Sequence, residues 1–404
     1  MKKTLFACTA LCGAAFVAAN AAAETPEFLE SRSQGPASTE YVNQDQERLS
    51  PTFRETPLLN IKLAGVVRVD ATLIDQDLRG TKPGGAIFDT RRDFSVLAGG
   101  TADNGVSYGF EIDVGTGRGK MFISNLYGRV DLGDAKSATE ALSVNGGDAM
   151  VGTGHYARAG NKLVNHGSLS GARVVTYRGQ GGTIRYTSPS YSGFTVAGSY
   201  TEESDTDGID GVPFGTTPGS EDIFSVAGQY TSTYGEYTSV LYAGCEWSNE
   251  NSRVRRLGIG AGAGIGGDAI AEHDQELCSF GAKTSGANAG FAIGYGWAKH
   301  DQPPPYDNDR QWIDIGAYFD FGVWQFSTGT VYLLDAENHD RHGEVFIFSG
   351  SFNYDMAPGL AIQGGVSHHI IDDADFSADN FSGNAIGLAD NEATTLTLST
   401  QVSF

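Results

Sequence analysis

Several stretches of the chain carry residue types at spacings that could do chemistry. "GTGRGK" at 115–120 has the glycines and lysine of a phosphate cradle, but position 114, where a P-loop needs Gly, is Val114. The stretch also sits in a hairpin rather than ahead of a helix. "GIGAGAGIGG" at 258–267 follows no buried strand and has no βαβ context, so it reads as an external loop. His368 and His369 are successive residues on a strand, point to opposite faces and cannot chelate one ion together. "DDADFSAD" from Asp372 lacks the Gly and terminal Glu of a calcium loop. It reads as a solvated acidic loop, with loose divalent cation binding as the alternative; no other cofactor is implied. The eight His include His155, His166 and His300, and none falls into a Ser-His-acid grouping recognisable from spacing.

The elements that would position these residues follow one pattern. "LNIKLAGVVRVDATLID" sets Leu59, Ile61, Leu63, Val67, Val69 and Leu73 on one face and Asn60, Lys62, Arg68, Asp70 and Thr72 on the other. That is a period of two, a strand with one greasy and one wet face. "VSYGFEIDV", "FTVAGSY", "FAIGYGW" and "WQFSTGTVYLL" repeat it. The last eleven residues, "TTLTLSTQVSF", alternate in the same way and stop on Phe404.

The start of the chain tells where such strands are used. "MKKTLFACTALCGAAFVAANAAAE" has Lys2 and Lys3, an apolar run from Leu5 to Ala19, and small residues allowing cleavage after Ala21 or Ala23. It reads as a secretory signal over residues 1–23. A lipoprotein site at Cys8 would leave too short an apolar run before it. Beyond the signal no apolar run reaches the length of a membrane helix.

Composition agrees. The chain has 27 Lys+Arg against 49 Asp+Glu, a formal charge of −22 that becomes −24 once Lys2 and Lys3 leave with the signal. Such acidity argues against nucleic acid as a partner. Fifty-five Gly, 22 Phe and 17 Tyr against 12 Pro fit many strands and tight turns.

Connector lengths separate a soluble sandwich from a membrane barrel. Tight turns fall at 102–105, 191–193, 233–236, 320–323 and 355–359, and long polar stretches at 202–220, 249–273, 300–309 and 372–391. Short turns at one end and long loops at the other mark an outer-membrane β-barrel. The expected fold class is all-β, a transmembrane antiparallel barrel of about 16 strands from Leu58 to Phe404. In a bilayer the sheet must close on itself, so the strand ending at Phe404 pairs with the first. Residues 24–57 are polar throughout and read as a periplasmic extension, with a short helix at Glu40–Leu49 as the alternative.

"GKMFISNLYGRVDLGDAKSATEAL" from Gly119 to Leu142, with the terminal Phe404, resembles the general diffusion porins of Gram-negative outer membranes. In that family a short fifth strand ending in Gly-Asp leads into a long third loop that folds inward and narrows the pore. Arg129–Asp134 matches that strand, and residues 135 to about 181 match the loop. The resemblance implies a passive channel for small hydrophilic solutes, a homotrimer in outer-membrane lipid and lipopolysaccharide, and a terminal Phe404 read by the barrel-assembly machinery. It also implies acidic loop residues, here Asp134, Glu140 and Asp148, set against a basic wall. Alternation sends Lys62, Arg68, Arg129, Arg185 and Lys283 inward to form that wall. Together with the acidic loops this leads to an expected mild cation preference. An outer-membrane enzyme and a structural or adhesive barrel without an open pore are the competing classes.

Two cysteines remain in the mature chain. If Cys245 faces Cys278, then Ala243 faces Phe280 and Leu241 faces Ala282 on the lipid side, while Val240 faces Lys283 on the lumen side. The register is self-consistent, so either a cross-strand disulfide or two small apolar residues facing lipid is expected.

Overall fold

The computed structural model describes residues 60–77, 85–115, 118–152, 182–203, 219–254, 269–300, 310–335, 344–372 and 391–404. The signal at 1–23, the extension at 24–57, the start of the barrel at Leu58 and Leu59, the glycine-rich stretch at 258–267 and most of the "DDADFSAD" stretch lie outside them, as do His155 and His166.

Among the described residues, sixteen antiparallel strands close into one barrel. They are β1 (Asn60–Gln76), β2 (Gly85–Thr101), β3 (Ser107–Asp113), β4 (Gly119–Asn125), β5 (Gly128–Gly133), β6 (Thr183–Thr187), β7 (Phe194–Glu203) and β8 (Gly219–Tyr234). Then follow β9 (Tyr237–Val254), β10 (Ala269–Ser285), β11 (Ala289–His300), β12 (Arg310–Phe321), β13 (Trp324–Asp335), β14 (Glu344–Ala357), β15 (Leu360–Asp372) and β16 (Asn391–Ser403). Each pairs with its sequence neighbours, and β1 pairs with β16 from Val66↔Ser403 to Gln76↔Ala393. Every strand has a ladder neighbour on both sides, so the sheet has no edge strand, which is what a sheet surrounded by hydrocarbon requires.

The two faces are inverted relative to a soluble fold. On β1 the apolar Leu63 is 70% exposed and Leu73 53%, whereas the intervening Arg68, Asp70 and Thr72 are buried. Alternation therefore reads as lipid outside and lumen inside. Turns of a few residues join the strands at one end, as at 126–127, 235–236, 322–323 and 358–359. The strand ends that flank the longer intervals 77–84, 134–182, 204–218, 255–268, 301–309, 336–343 and 373–390 lie at the other. The polar stretch expected to be loop from 249 to 273 is shorter than expected. β9 continues to Val254 and β10 starts at Ala269, because ladder pairing such as Asn251↔Glu272 carries the hairpin past its polar residues.

Wall height varies. β3 to β6 hold only 7, 7, 6 and 5 residues, while β8 to β10 hold 16, 18 and 17. The lumen face is also not uniformly wet, contrary to a simple reading of the alternation. Ile74, Leu277, Trp312, Val331, Leu333, Val345 and Ile347 point inward near the long-connection ends of their strands and form a packed apolar cluster.

Candidate pore constriction

The third long connection begins where β5 ends. Gly133 takes a positive φ of 105° at a point where a Cβ would lie 2.6 Å from the Gly119 carbonyl, and the chain turns inward instead of continuing the ladder. Ser137 then caps a one-turn helix, α1 (Ala138–Leu142), by accepting the Glu140 amide at 3.2 Å. "SATE" has the Ser-x-x-Glu spacing of a capping box, a sequence signal for α1 that strand alternation hides. A 3₁₀ turn (Gly146–Ala149) follows, in which the Asp148 carboxylate accepts the Asn145 amide at 2.8 Å.

Two sets of wall hydroxyls hold the connection against the inner surface. At the first, the amides of Ala138 and Thr139 donate to Ser199 Oγ on β7 and Ser225 Oγ on β8, each at 2.9 Å. Thr139 Oγ1 donates to Glu246 Oε2 on β9 at 2.8 Å. Glu246 is fully buried, so the bond gives a carboxylate in the wall a partner from the loop. At the second, the Val151 amide donates to Ser327 Oγ on β13 and Ser351 Oγ on β14 donates to the Val151 carbonyl, at 2.9 and 2.7 Å. Residues 134–152 thus run along the inside of the barrel from β5 past β13, leaving β1 to β4 and β16 to face them across the lumen.

All five basic residues expected on the wall lie on the lumen side of their strands. Lys62 is exposed near the turn end of β1 and Lys283 is half-buried on β10. The arginines, however, reach wall carboxylates at short range. Arg68 Nε lies 2.9 Å from Asp70 Oδ1, and Ser399 Oγ also donates to Asp70. Arg129 and Arg185 converge on Asp131, at 2.7 and 2.8 Å, while Arg185 Nη1 donates to the Lys136 carbonyl at 3.1 Å. Asp131 is fully buried, so the triad ties β5, β6 and the root of the third connection into one charged unit. The guanidinium of Arg129 also lies 4.3 Å over the Phe122 ring.

Asp70 and Asp131 are functional candidates that alternation alone passed over. The signal was present, because "RVD" at 68–70, "RRD" at 91–93 and "RVD" at 129–131 each put an Arg and an Asp two residues apart on one strand face. In all three the pair forms, with Arg91 Nε 2.7 Å from Asp93 Oδ2 in the exposed example. On the loop side, Glu140 Oε1 lies 3.9 Å from Lys136 Nζ, Asp148 is exposed and Asp134 is half-buried beside the end of β5.

The two cysteines are joined by a disulfide in the register Cys245↔Cys278, with Ala243↔Phe280, Leu241↔Ala282 and Val240↔Lys283 alongside. The bridge lies on the outward face beside Val226 and Trp297, the ladder partners on either side. His369 faces the lumen and donates to or accepts from Ser367 Oγ at 2.8 Å, while His368 faces outward beside Glu392. Among the described residues no group of three or more His, Cys, Asp or Glu is placed to hold a metal ion.

A family model described as Gram-negative porin matches residues 7–374. Among solved structures, a porin refined at 1.8 Å resolution aligns over 85% of this chain and 100% of its own, with 18% identity and a TM-score of 0.54. An anion-selective porin from Comamonas acidovorans aligns over 86% and 100%, with 14% identity and a TM-score of 0.55. The outer-membrane protein OmpT of Vibrio cholerae aligns over 87% and 99%, with 12% identity and a TM-score of 0.56. At such identities the likeness is one of fold. No curated protein matches by sequence.

Proposed function

The chain belongs to the Gram-negative porin family, and on that premise we propose how its channel sorts the solutes that cross it. The protein sits in the outer membrane, where its barrel forms a water-filled path for passive diffusion of small hydrophilic solutes and ions. The observation that carries the proposal is the third connection, held along the inner wall by Ser225, Glu246, Ser327 and Ser351. Asp134, Glu140 and Asp148 supply the acidic side of the narrowest passage. Lys62, Arg68, Arg129, Arg185 and Lys283 supply the basic side.

A field across the passage orients dipolar solutes and disfavours apolar ones, which cannot exchange water for polar contacts at low cost. The arginines are partly neutralised in place by Asp70 and Asp131, which weakens the basic side more than the acidic one. With the mature chain at −24, the expected sign is a mild preference for cations. Catalysis has no part in this reading. Step-like conductance of the purified protein in a planar bilayer is the test; a membrane that stays silent at every voltage would overturn it.

A homotrimer belongs to the same proposal. Seven residues at about 3.3 Å each, tilted about 40°, rise about 18 Å, short of the roughly 25 Å apolar band such a barrel presents to lipid. β3 to β6 are that short or shorter, and Ile123 and Ile184 stand exposed on their outer faces. Neighbouring copies covering this low wall would remove the mismatch. Lipid and lipopolysaccharide then contact the taller wall around β8 to β10. A loosely held divalent cation at the acidic loops is the only inorganic partner the reading admits.

A further inference from the structure

We propose that four glycines of the barrel wall, Gly281, Gly294, Gly316 and Gly329, determine the channel's size limit. They form the seat on which the constriction loop lies. The inference rests on the porin reading above.

The glycines come from four consecutive strands, β10 to β13, and face the lumen. They meet as two directly opposed pairs, Gly281↔Gly294 and Gly316↔Gly329. Glycine weakens a strand, so its use here calls for a close backbone approach as the return. That approach comes from residues 144–150 of the third connection. A Cβ on Gly281 would overlap the Val144 carbonyl oxygen, and one on Gly316 would overlap the carbonyl oxygen of Gly146. At Gly329 a Cβ would lie 2.5 Å from Met150 Sδ, and at Gly294 it would overlap Asp314 and come within 3.1 Å of Asn145 Cα. From the loop side, a Cβ on Gly146 would sit 2.5 Å from the Ile315 amide nitrogen.

These contacts differ from those of other glycines in the same strands. Gly290 and Gly296 open space for the rings of Tyr318 and Trp312 on the adjacent strand, which is a service to the sheet. Gly281 and Gly316 meet backbone from the loop, and backbone cannot rotate out of the way. Non-bonded carbon contacts settle near about 3.5 Å, so one methyl at either site must drive the loop lumenward by more than about 1 Å. The wall behind is hydrogen-bonded on both sides and gives less. Loop position, and with it the aperture, is therefore written into the wall.

The experiment compares Gly281→Ala and Gly316→Ala with the wild type in planar bilayers, with Gly228→Ala as the control, since nothing lies within 4 Å of a Cβ there. The expected result is a drop of roughly 1.5-fold or more in single-channel conductance and a smaller polyol cut-off for the two seat variants, with the control unchanged. Gly281→Ala is also placed in a chain lacking residues 143–150, where the substitution should no longer alter conductance or assembly. If a seat variant assembles only when the loop segment is absent, that too supports the proposal. Wild-type conductance in both seat variants, or equal assembly defects with and without the loop segment, overturns it. A wild type that shows no steps overturns the channel reading itself and is distinguishable from either result.

Discussion

Phe404 and Gly65 exchange both backbone hydrogen bonds, each at 3.0 Å, and the Phe404 ring lies over Gly65, where a Cβ would come 2.6 Å from its Cζ. Phe94 on β2 flanks the same spot, with ring centroids 5.9 Å apart. The last residue of the chain thus finishes the β1–β16 seam and places an aromatic ring on the outer face at the turn end of the barrel.

From that geometry, deleting Phe404 should lower the yield of folded protein, since it removes two seam hydrogen bonds of about 1 kcal/mol each and the aromatic end that the family resemblance assigns to the assembly machinery. Gly65→Ala should act in the same direction by displacing the ring. Semi-native gels of outer membranes, unheated and heated, measure this as the heat-modifiable band. Wild-type band intensity in both variants would remove the role given to the terminus.

The disulfide makes a second expectation. Mass spectrometry of unreduced peptides should recover Cys245 and Cys278 in one linked species. Replacing both by Ser should lower stability by about 3–4 kcal/mol, the usual effect of closing a loop of this size, with a sequence separation of 33. Urea unfolding of the paired variant against the wild type reads the difference. Recovery of both thiols free would dismiss the bridge.

How far the sequence reached depends on the range of the contact. The parity of β1 was readable because Ile61, Leu63, Val69 and Leu73 alternate with Lys62, Arg68, Asp70 and Thr72 within a single strand. The Cys245↔Cys278 register was readable because a hairpin fixes pairing once one pair is chosen. Leu333 was not readable as lumenal, since the adjacent apolar run "VYLL" gives no preference between faces. Glu246 was hidden for a different reason. Its partner Thr139 is 107 residues away, and no local period reports a contact between a loop and a wall strand that is distant in sequence.

Asp131 offers a test of the wall. Asp131→Asn leaves Arg129 and Arg185 close together without the carboxylate that both engage. Removing one member of a buried ionic group typically costs about 3–5 kcal/mol. The variant should therefore unfold at lower urea, and the channels that do assemble should shift toward anions because the triad gains a unit of positive charge. Double replacement, Arg129→Met with Asp131→Asn, should recover part of the stability. An unchanged reversal potential in Asp131→Asn would mean the triad is shielded from the permeating ions.

The loop carboxylates give the sharpest reading of selectivity. Glu140 and Asp148 lie on the part of the third connection that the wall anchors, and Asp148 is exposed, so a passing ion feels its field with little intervening protein, while Glu140 is half-buried. Lys136, 3.9 Å from Glu140, offsets part of that charge, which is why the preference is expected to be mild. Under a salt gradient the wild type should give a reversal potential of cation-selective sign. Glu140→Gln with Asp148→Asn should move it toward zero or beyond. Raising the salt to 1 M should weaken the wild-type preference as the screening length contracts to about 3 Å, because only charges in near contact with the ion then count. Clear anion selectivity of the wild type at low salt would reverse the proposed sign. A double variant as selective as the wild type would take these two carboxylates out of the constriction and leave the wall charges to explain the preference.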